Sequence, residues 1–191
     1  MDIILASASP RRREILEKYN LKHRVKKSDI IEHIRPDESP EQIAMSLAFQ
    51  KAYNIALENK KSIVIGADTI VVYDNRILGK PTCKKEAKEI LNLLNGQKHQ
   101  VITAIALVLL DKNIKIVDYE ETLVKFRDLD EDIIDRYVKT REPFDKAGAY
   151  GIQDYGALLV EEIRGCYLNV VGLPLSKLNN LLNIYFNISL L

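Results

Sequence analysis

Apolar runs and helical stripes alternate along this chain, and a chain patterned in that way folds as α/β. Ile3 to Ala6 reads as a short buried strand. Ser9 then stands as an N-cap, with Pro10 as the first residue of a helix reaching Tyr19. Ser39-Pro40-Glu41-Gln42 is a capping box that opens a second helix ending near Glu58. Ser62 to Tyr73 is a long β-type run with Gly66 inside it, followed by a turn at Asp74-Asn75. Lys84 to Leu94 is helical and stops at Asn95-Gly96. Val101–Leu110 and Ile114–Val124 flank Asp111-Lys112-Asn113 and read as a hairpin, so the sheet is expected to be mixed. A helix from Glu131 to Thr140 follows, capped by Asp130. Leu158–Ile163 and Tyr167–Val171 read as two strands around Gly165, and a last helix starts near Leu175 after Pro174.

A length of 191 residues fits one domain or two small lobes, and it buries a core without disulfide or metal staples. Twenty-eight Lys and Arg nearly cancel twenty-seven Asp and Glu, so no global field attracts nucleic acid or an anionic membrane. Any anion site must be local. Cys83 and Cys166 do not make a disulfide framework, and they suit a reducing compartment. His23, His33 and His99 lie far apart and show no zinc-ligand spacing. The first residues carry too short an apolar run for a signal peptide, and no stretch approaches bilayer length. The expectation is a cytoplasmic protein that binds neither nucleic acid nor membrane.

Five places carry residues that could serve a chemical site. Arg11, Arg12 and Arg13 stand in the first turn of a helix, where they oppose its dipole. A phosphate there would reverse that cost, because N–H groups, the hydroxyls of Ser7 and Ser9 and guanidinium forks all donate to its oxygens. The alternative is a capped helix with solvated arginines. Asp68 lies inside the apolar run Ile63–Val72, an expensive place unless the carboxylate is paired, hydrogen-bonded or bound to a cation. It is a candidate general base or metal ligand, or else it caps a strand end. Gly66 would permit a bulge or a close backbone approach nearby. Lys51 falls within the stripe Ile43, Ala44, Leu47, Ala48, Ala52, Ile55, so it either snorkels to the surface or points at an anion. Lys80 between Gly79 and Pro81, and Glu32 in a polar stretch, mean little alone. The segment Glu142–Gln153, with Gly148 and Gly151 closely spaced around Tyr150, suggests a loop lining a cleft, or a tight strand–turn crossing. Tyr150 could offer a face or a hydroxyl there, and Gln153 a donor and an acceptor for a base edge. No Gly-x-Ser-x-Gly elbow, Walker A loop or dinucleotide fingerprint competes.

Taken together, these segments resemble the Maf family of nucleotide pyrophosphatases. The resemblance runs through Ala6-Ser7-Ala8-Ser9-Pro10-Arg11-Arg12, Gln50-Lys51-Ala52, Gly66-Ala67-Asp68-Thr69 and Gly79-Lys80-Pro81. It continues through Asp145–Gln153 and Val171-Gly172-Leu173-Pro174. It implies one Maf-like domain over residues 1–191, with an elongated mixed sheet flanked by helices and a cleft between two lobes, as in inosine triphosphate pyrophosphatase. It also implies hydrolysis of a nucleoside triphosphate between its α and β phosphates. On the resemblance Asp68 is the proton acceptor. Arg11, Thr69 and Gln153 bear on substrate choice. Ser7, Ser9, Arg12, Lys51 and Lys80 are polar positions that would hold phosphates. Glu32 and Asp68 would bind magnesium or manganese. The Asp-Lys-Ala-Gly-Ala-Tyr-Gly-Ile-Gln segment is similar to the branch preferring dTTP and UTP, with 7-methyl-GTP or purine triphosphates as the rival substrates. A non-enzymatic role in septum formation is the reading from another class, and a homodimer is compatible with the family. Arg141 replaces a glycine often found before Glu-Pro, so a local loop adjustment is expected there.

Overall fold

The computed structural model describes residues 1–35 and 37–191. Its strands are β1 (Ile3–Leu5), β2 (Arg24–Val25), β3 (Ile63–Tyr73), β4 (Arg76–Leu78), β5 (Lys98–Leu109), β6 (Ile114–Phe126) and β7 (Val160–Arg164). Its helices are α1 (Pro10–Lys18), α2 (Pro40–Glu58), α3 (Lys84–Leu94), α4 (Glu131–Lys139), α5 (Tyr167–Val171) and α6 (Leu175–Phe186). The strands form one sheet in the order β2-β1-β3-β5-β6-β7, with β4 paired to β3. β1 runs parallel to both β2 and β3, whereas β3/β4 and β6/β7 are antiparallel. The expected mixed α/β sheet is therefore observed. No helix among the described residues is long and apolar enough to cross a membrane.

The chain divides into two compact units. The first comprises Met1–Asp68, Thr103–Glu120 and Gly172–Leu191. Its core joins Ile4 and Leu5 of β1, Ile63 and Ile65 of β3, Leu107 of β5, Leu16 of α1, Ala48 and Ala52 of α2 and Leu178 of α6, all buried. Each large aliphatic side chain taken fully out of water contributes about 1.5–3 kcal/mol, so these few residues outweigh any surface ion pair. Ser39 and Gln42 close both bonds of the capping box at the start of α2, as the sequence predicts. Ser9 occupies the N-cap position of α1, but its side chain makes no cap bond.

The second unit comprises Thr69–Ile102 and Glu121–Val171. Asp74 and Asn75 both take positive φ and form a two-residue hairpin loop, with Tyr73 opposite Arg76. β4 and the exposed β2 are too short to leave a pattern, and the sequence did not predict them. Tyr167–Val171, expected as a strand, is the helix α5. The reason is a buried polar node. The Asn169 side chain donates to the Val101 carbonyl and to Thr122 Oγ1, each at 2.9 Å. The same hydroxyl accepts from Cys166 N at 3.0 Å and donates to Cys166 O at 3.1 Å. Burial of an amide requires such partners, and meeting them outweighs the β preference of Val170 and Val171. Leu158 lies in a 3₁₀ turn, Tyr155–Leu159, and β7 starts at Val160.

Candidate active site

Gly66 sets the first half of the site. A Cβ placed on it would lie 2.2 Å from the Ala48 carbonyl oxygen and 2.8 Å from Ala52 Cβ, so β3 packs directly on the α2 backbone. Residues two apart share a face of a strand. Asp68 therefore faces the same helix as Gly66, and Lys51 lies between Ala48 and Ala52 in sequence. Lys51 Nζ stands 2.5 Å from Asp68 Oδ1 and 2.8 Å from Glu32 Oε1. Side-chain exposure is 19% for Lys51, 13% for Asp68 and 45% for Glu32, so the Lys51–Asp68 contact is largely dry and the Glu32 contact is screened by water. Asp68 and Thr69 are the half-buried pair within an otherwise buried run from Ile63 to Val72. Solvent thus reaches the strand at the one carboxylate it carries.

The second half lies at the end of β1. The Ser7 hydroxyl accepts from Ser9 N at 3.2 Å and from Arg12 Nη1 at 3.1 Å. Arg12 Nε donates to the Gly172 carbonyl at 2.8 Å. Its guanidinium is thus pinned from two directions. Burial lowers the Arg12 pKa, the negative charge of Asp68 opposes that shift, and Arg11 adds to it. An arginine starts so high that it stays charged regardless. Arg13 turns away to an exposed i,i+4 pair with Glu17 at 3.3 Å.

The first unit thus gathers Ser7, Ser9, Arg11, Arg12, Glu32, Lys51 and Asp68, with direct contacts within Ser7–Arg12 and within Lys51–Asp68–Glu32. Ser9 joins through its backbone N–H. Thr69, Lys80 and Gln153 belong to the second unit. Lys80 is exposed after β4, and Gln153 is half-buried just before the 3₁₀ turn.

The loop before Gln153 differs from its expected form. Tyr150 is buried, its hydroxyl 2.8 Å from His99 Nε2 and its ring edge-to-face with His99 and Phe126. Both its face and its hydroxyl are used inside the second unit. Gly148 takes φ +68 with its N–H on the Gly79 carbonyl at 3.1 Å, and a Cβ there would press on Val71 at 2.9 Å. Arg141 adopts φ 68, the left-handed conformation that glycine enters without strain. The sequence reading included Glu142 at the head of this segment without giving it a role and did not single out Tyr137, yet the hydrogen bonds of both reach across this loop. Their only signal was an acid preceding a proline at the head of a glycine-rich segment.

A metal ion would find a sparse donor set. No cluster of three or more His, Cys, Asp or Glu able to hold one exists among the described residues. Magnesium, however, commonly takes one or two protein carboxylates and completes its octahedron with waters and phosphate oxygens. Glu32 and Asp68, already converging on one ammonium, fit an ion of that kind and do not fit a protein-caged one. An apolar hollow of about 460 Å³ beside Phe49, Tyr53, Ile31 and Leu57 contains none of these residues.

Comparison with known proteins gives consistent relatives. The family described as "Maf-like protein" matches residues 2–185. A dTTP/UTP pyrophosphatase of Clostridioides difficile (strain 630) is 55% identical over 190 residues, covering 100% of this chain and 98% of the relative. A dTTP/UTP pyrophosphatase of Bacillus anthracis is 51% identical over 176 residues, covering 92% of this chain and 91% of the relative. Among solved structures, the Staphylococcus aureus Ham1 protein aligns at a TM-score of 0.46 and 17% identity, over 67% of this chain and 73% of that one.

Proposed function

This chain belongs to the Maf-like protein family, and from that premise we propose that it is a nucleoside triphosphate pyrophosphatase acting on dTTP and UTP. The products are the nucleoside monophosphate and pyrophosphate. The observation that carries the reading is the Lys51–Asp68–Glu32 contact at the solvent-reached point of β3, in the same unit as the pinned Arg12. Anhydride hydrolysis needs an acid pair, fixed cations and access for water, and these residues supply that chemistry.

In this mechanism Asp68 orients a water molecule and takes its proton as the oxygen attacks the α phosphorus. The α–β anhydride bond breaks, and pyrophosphate departs with the bonding electrons. Lys51 aims the Asp68 carboxylate before attack. Arg12, fixed by Ser7 and Gly172, donates to phosphate oxygens without having to be ordered first. Ser7, Ser9 and Lys80 join it in holding phosphates, while Arg11, Thr69 and Gln153 govern substrate choice, assignments that rest on the family resemblance. Glu32 and Asp68 would hold magnesium or manganese, which when bound would neutralise phosphate charge. Two free cysteines support a cytoplasmic setting. A homodimer rests on the family alone.

The test is a panel of dTTP, UTP, CTP, GTP and 7-methyl-GTP with each metal, read as pyrophosphate and monophosphate. Release from dTTP and UTP is expected. A protein that released pyrophosphate from none of them would act as a binder, and the proposal would fall.

A further inference from the structure

The loop Gly151–Gly156, which carries Gln153, is tied at both ends to one pair of side chains. Tyr137, buried on α4, donates its hydroxyl to Glu142 Oε1 at 3.0 Å and accepts from Gly151 N at 3.2 Å. The other end reaches the same carboxylate: Tyr155 N donates to Glu142 Oε2 at 3.0 Å and Gly156 N to Oε1 at 3.2 Å. These two amides open a 3₁₀ turn, where N–H groups lack partners within the turn. Asp154, at the N-cap position, makes no side-chain cap bond, so Glu142 provides the cap from outside. Burial, and then the Glu142 charge, raises the Tyr137 pKa, which keeps its hydroxyl a donor.

The ends also meet through their backbones. A Cβ on Gly156 would lie 2.0 Å from Gly151 O and 2.9 Å from the Tyr137 hydroxyl. A Cβ on Gly151 would lie 2.5 Å from Lys146 Cε. The Lys146 ammonium in turn donates to the Glu142 carbonyl at 2.8 Å and to Asp145 Oδ1 at 2.6 Å. No strand or α-helix holds Ile152, Gln153 or Asp154. Their conformation depends on the two clamped ends.

We propose that Glu142 and Tyr137 are positioning residues that hold this loop in one conformation and thereby set the nucleotide selectivity exerted through Gln153. The inference rests on the pyrophosphatase reading above. Neither side chain touches the nucleotide; they act through the loop backbone.

The test uses the full chain carrying Tyr137→Phe or Glu142→Gln. The first removes one hydroxyl, and the second replaces one acceptor oxygen with a donor that faces an N–H. Amide exchange at Gly151, Tyr155 and Gly156 should rise at least about tenfold in both, while exchange in α6 stays unchanged. The kcat/KM ratio for dTTP over CTP should fall about tenfold, mainly through KM, with kcat on saturating dTTP kept within about threefold. In a Gln153→Ala background, adding Tyr137→Phe should move that ratio less than about twofold, because both act through one element. Should Glu142→Gln fail to fold, Tyr137→Phe keeps the carboxylate and decides alone. An unmoved ratio in an active protein, or an equal loss on every nucleotide with a lowered melting temperature, overturns the inference and leaves the pyrophosphatase reading standing. A wild type inactive on the whole panel removes both.

Discussion

Acid should weaken this protein through one buried ring. His99 is 2% exposed, and its Nδ1 has no hydrogen-bond partner among the described residues. Burial pushes its pKa from the ordinary 6.5 down to about 4. In the unfolded chain the imidazole takes up a proton as pH falls through 6.5, whereas in the folded chain it resists until about 4. The unfolded state therefore binds more protons across that window. Stability is fully present above 6.5 and declines as pH falls, levelling below about 4. The full loss is about 3 kcal/mol, from a depression of two to three pH units at 1.36 kcal/mol each. At pH 5 the linkage expression gives about 2 kcal/mol.

Other groups also titrate there, so the reference is His99→Phe/Tyr150→Phe. It removes both partners of the His99–Tyr150 bond and keeps the ring contacts with Phe126, a replacement that can be close to neutral. Urea unfolding at pH 7 and pH 5 should show wild type losing about 2 kcal/mol more than the double variant, a midpoint shift of about 1 M at a slope of about 2 kcal/mol/M. Parallel pH profiles for the two proteins would refute the argument.

Asp68→Asn should lower turnover on dTTP by about 10²–10⁴-fold while melting stays near wild type, and full turnover in steady-state assays would contradict the proton-acceptor role. Gly66→Ala should destabilise by about 1–3 kcal/mol or more, since its Cβ would meet a backbone oxygen at 2.2 Å; an unchanged urea midpoint would mean that β3 and α2 are not so closely seated. Arg141→Gly should raise stability by up to about 1 kcal/mol by relieving a left-handed non-glycine residue, and a lowered melting temperature would show that the φ of 68 is not strained.

Local signals carried most of the element pattern. The capping box at Ser39, the proline at the head of α1 and the Asn95-Gly96 stop each act over a few residues and appear where expected. Tyr167–Val171 was misread because its helix is decided by Thr122 and Val101, more than forty residues away in sequence. The site was legible in pieces. Lys51 in an apolar stripe and Asp68 in an apolar strand each stood out as costly, and the fold shows each meeting the other's charge. Glu32 gave no such sign, because its stretch carries no helical or strand pattern and only tertiary contact gives it a partner. Tyr150 was read as a reaching side chain, but the hydrogen-bond partner that draws it inward is a histidine fifty-one positions earlier.

The bare contact at Gly66 has a bearing on the lysine opposite. With no side chain between strand and helix, α2 cannot roll or slide without driving its Ala48 carbonyl into β3. Lysine stems are long and wander freely when their root is loose. At position 51 the root is held by main chain against main chain, so the ammonium's range is cut at its base. A flexible arm becomes a fixed pointer because of what is missing two residues before the acid it reaches.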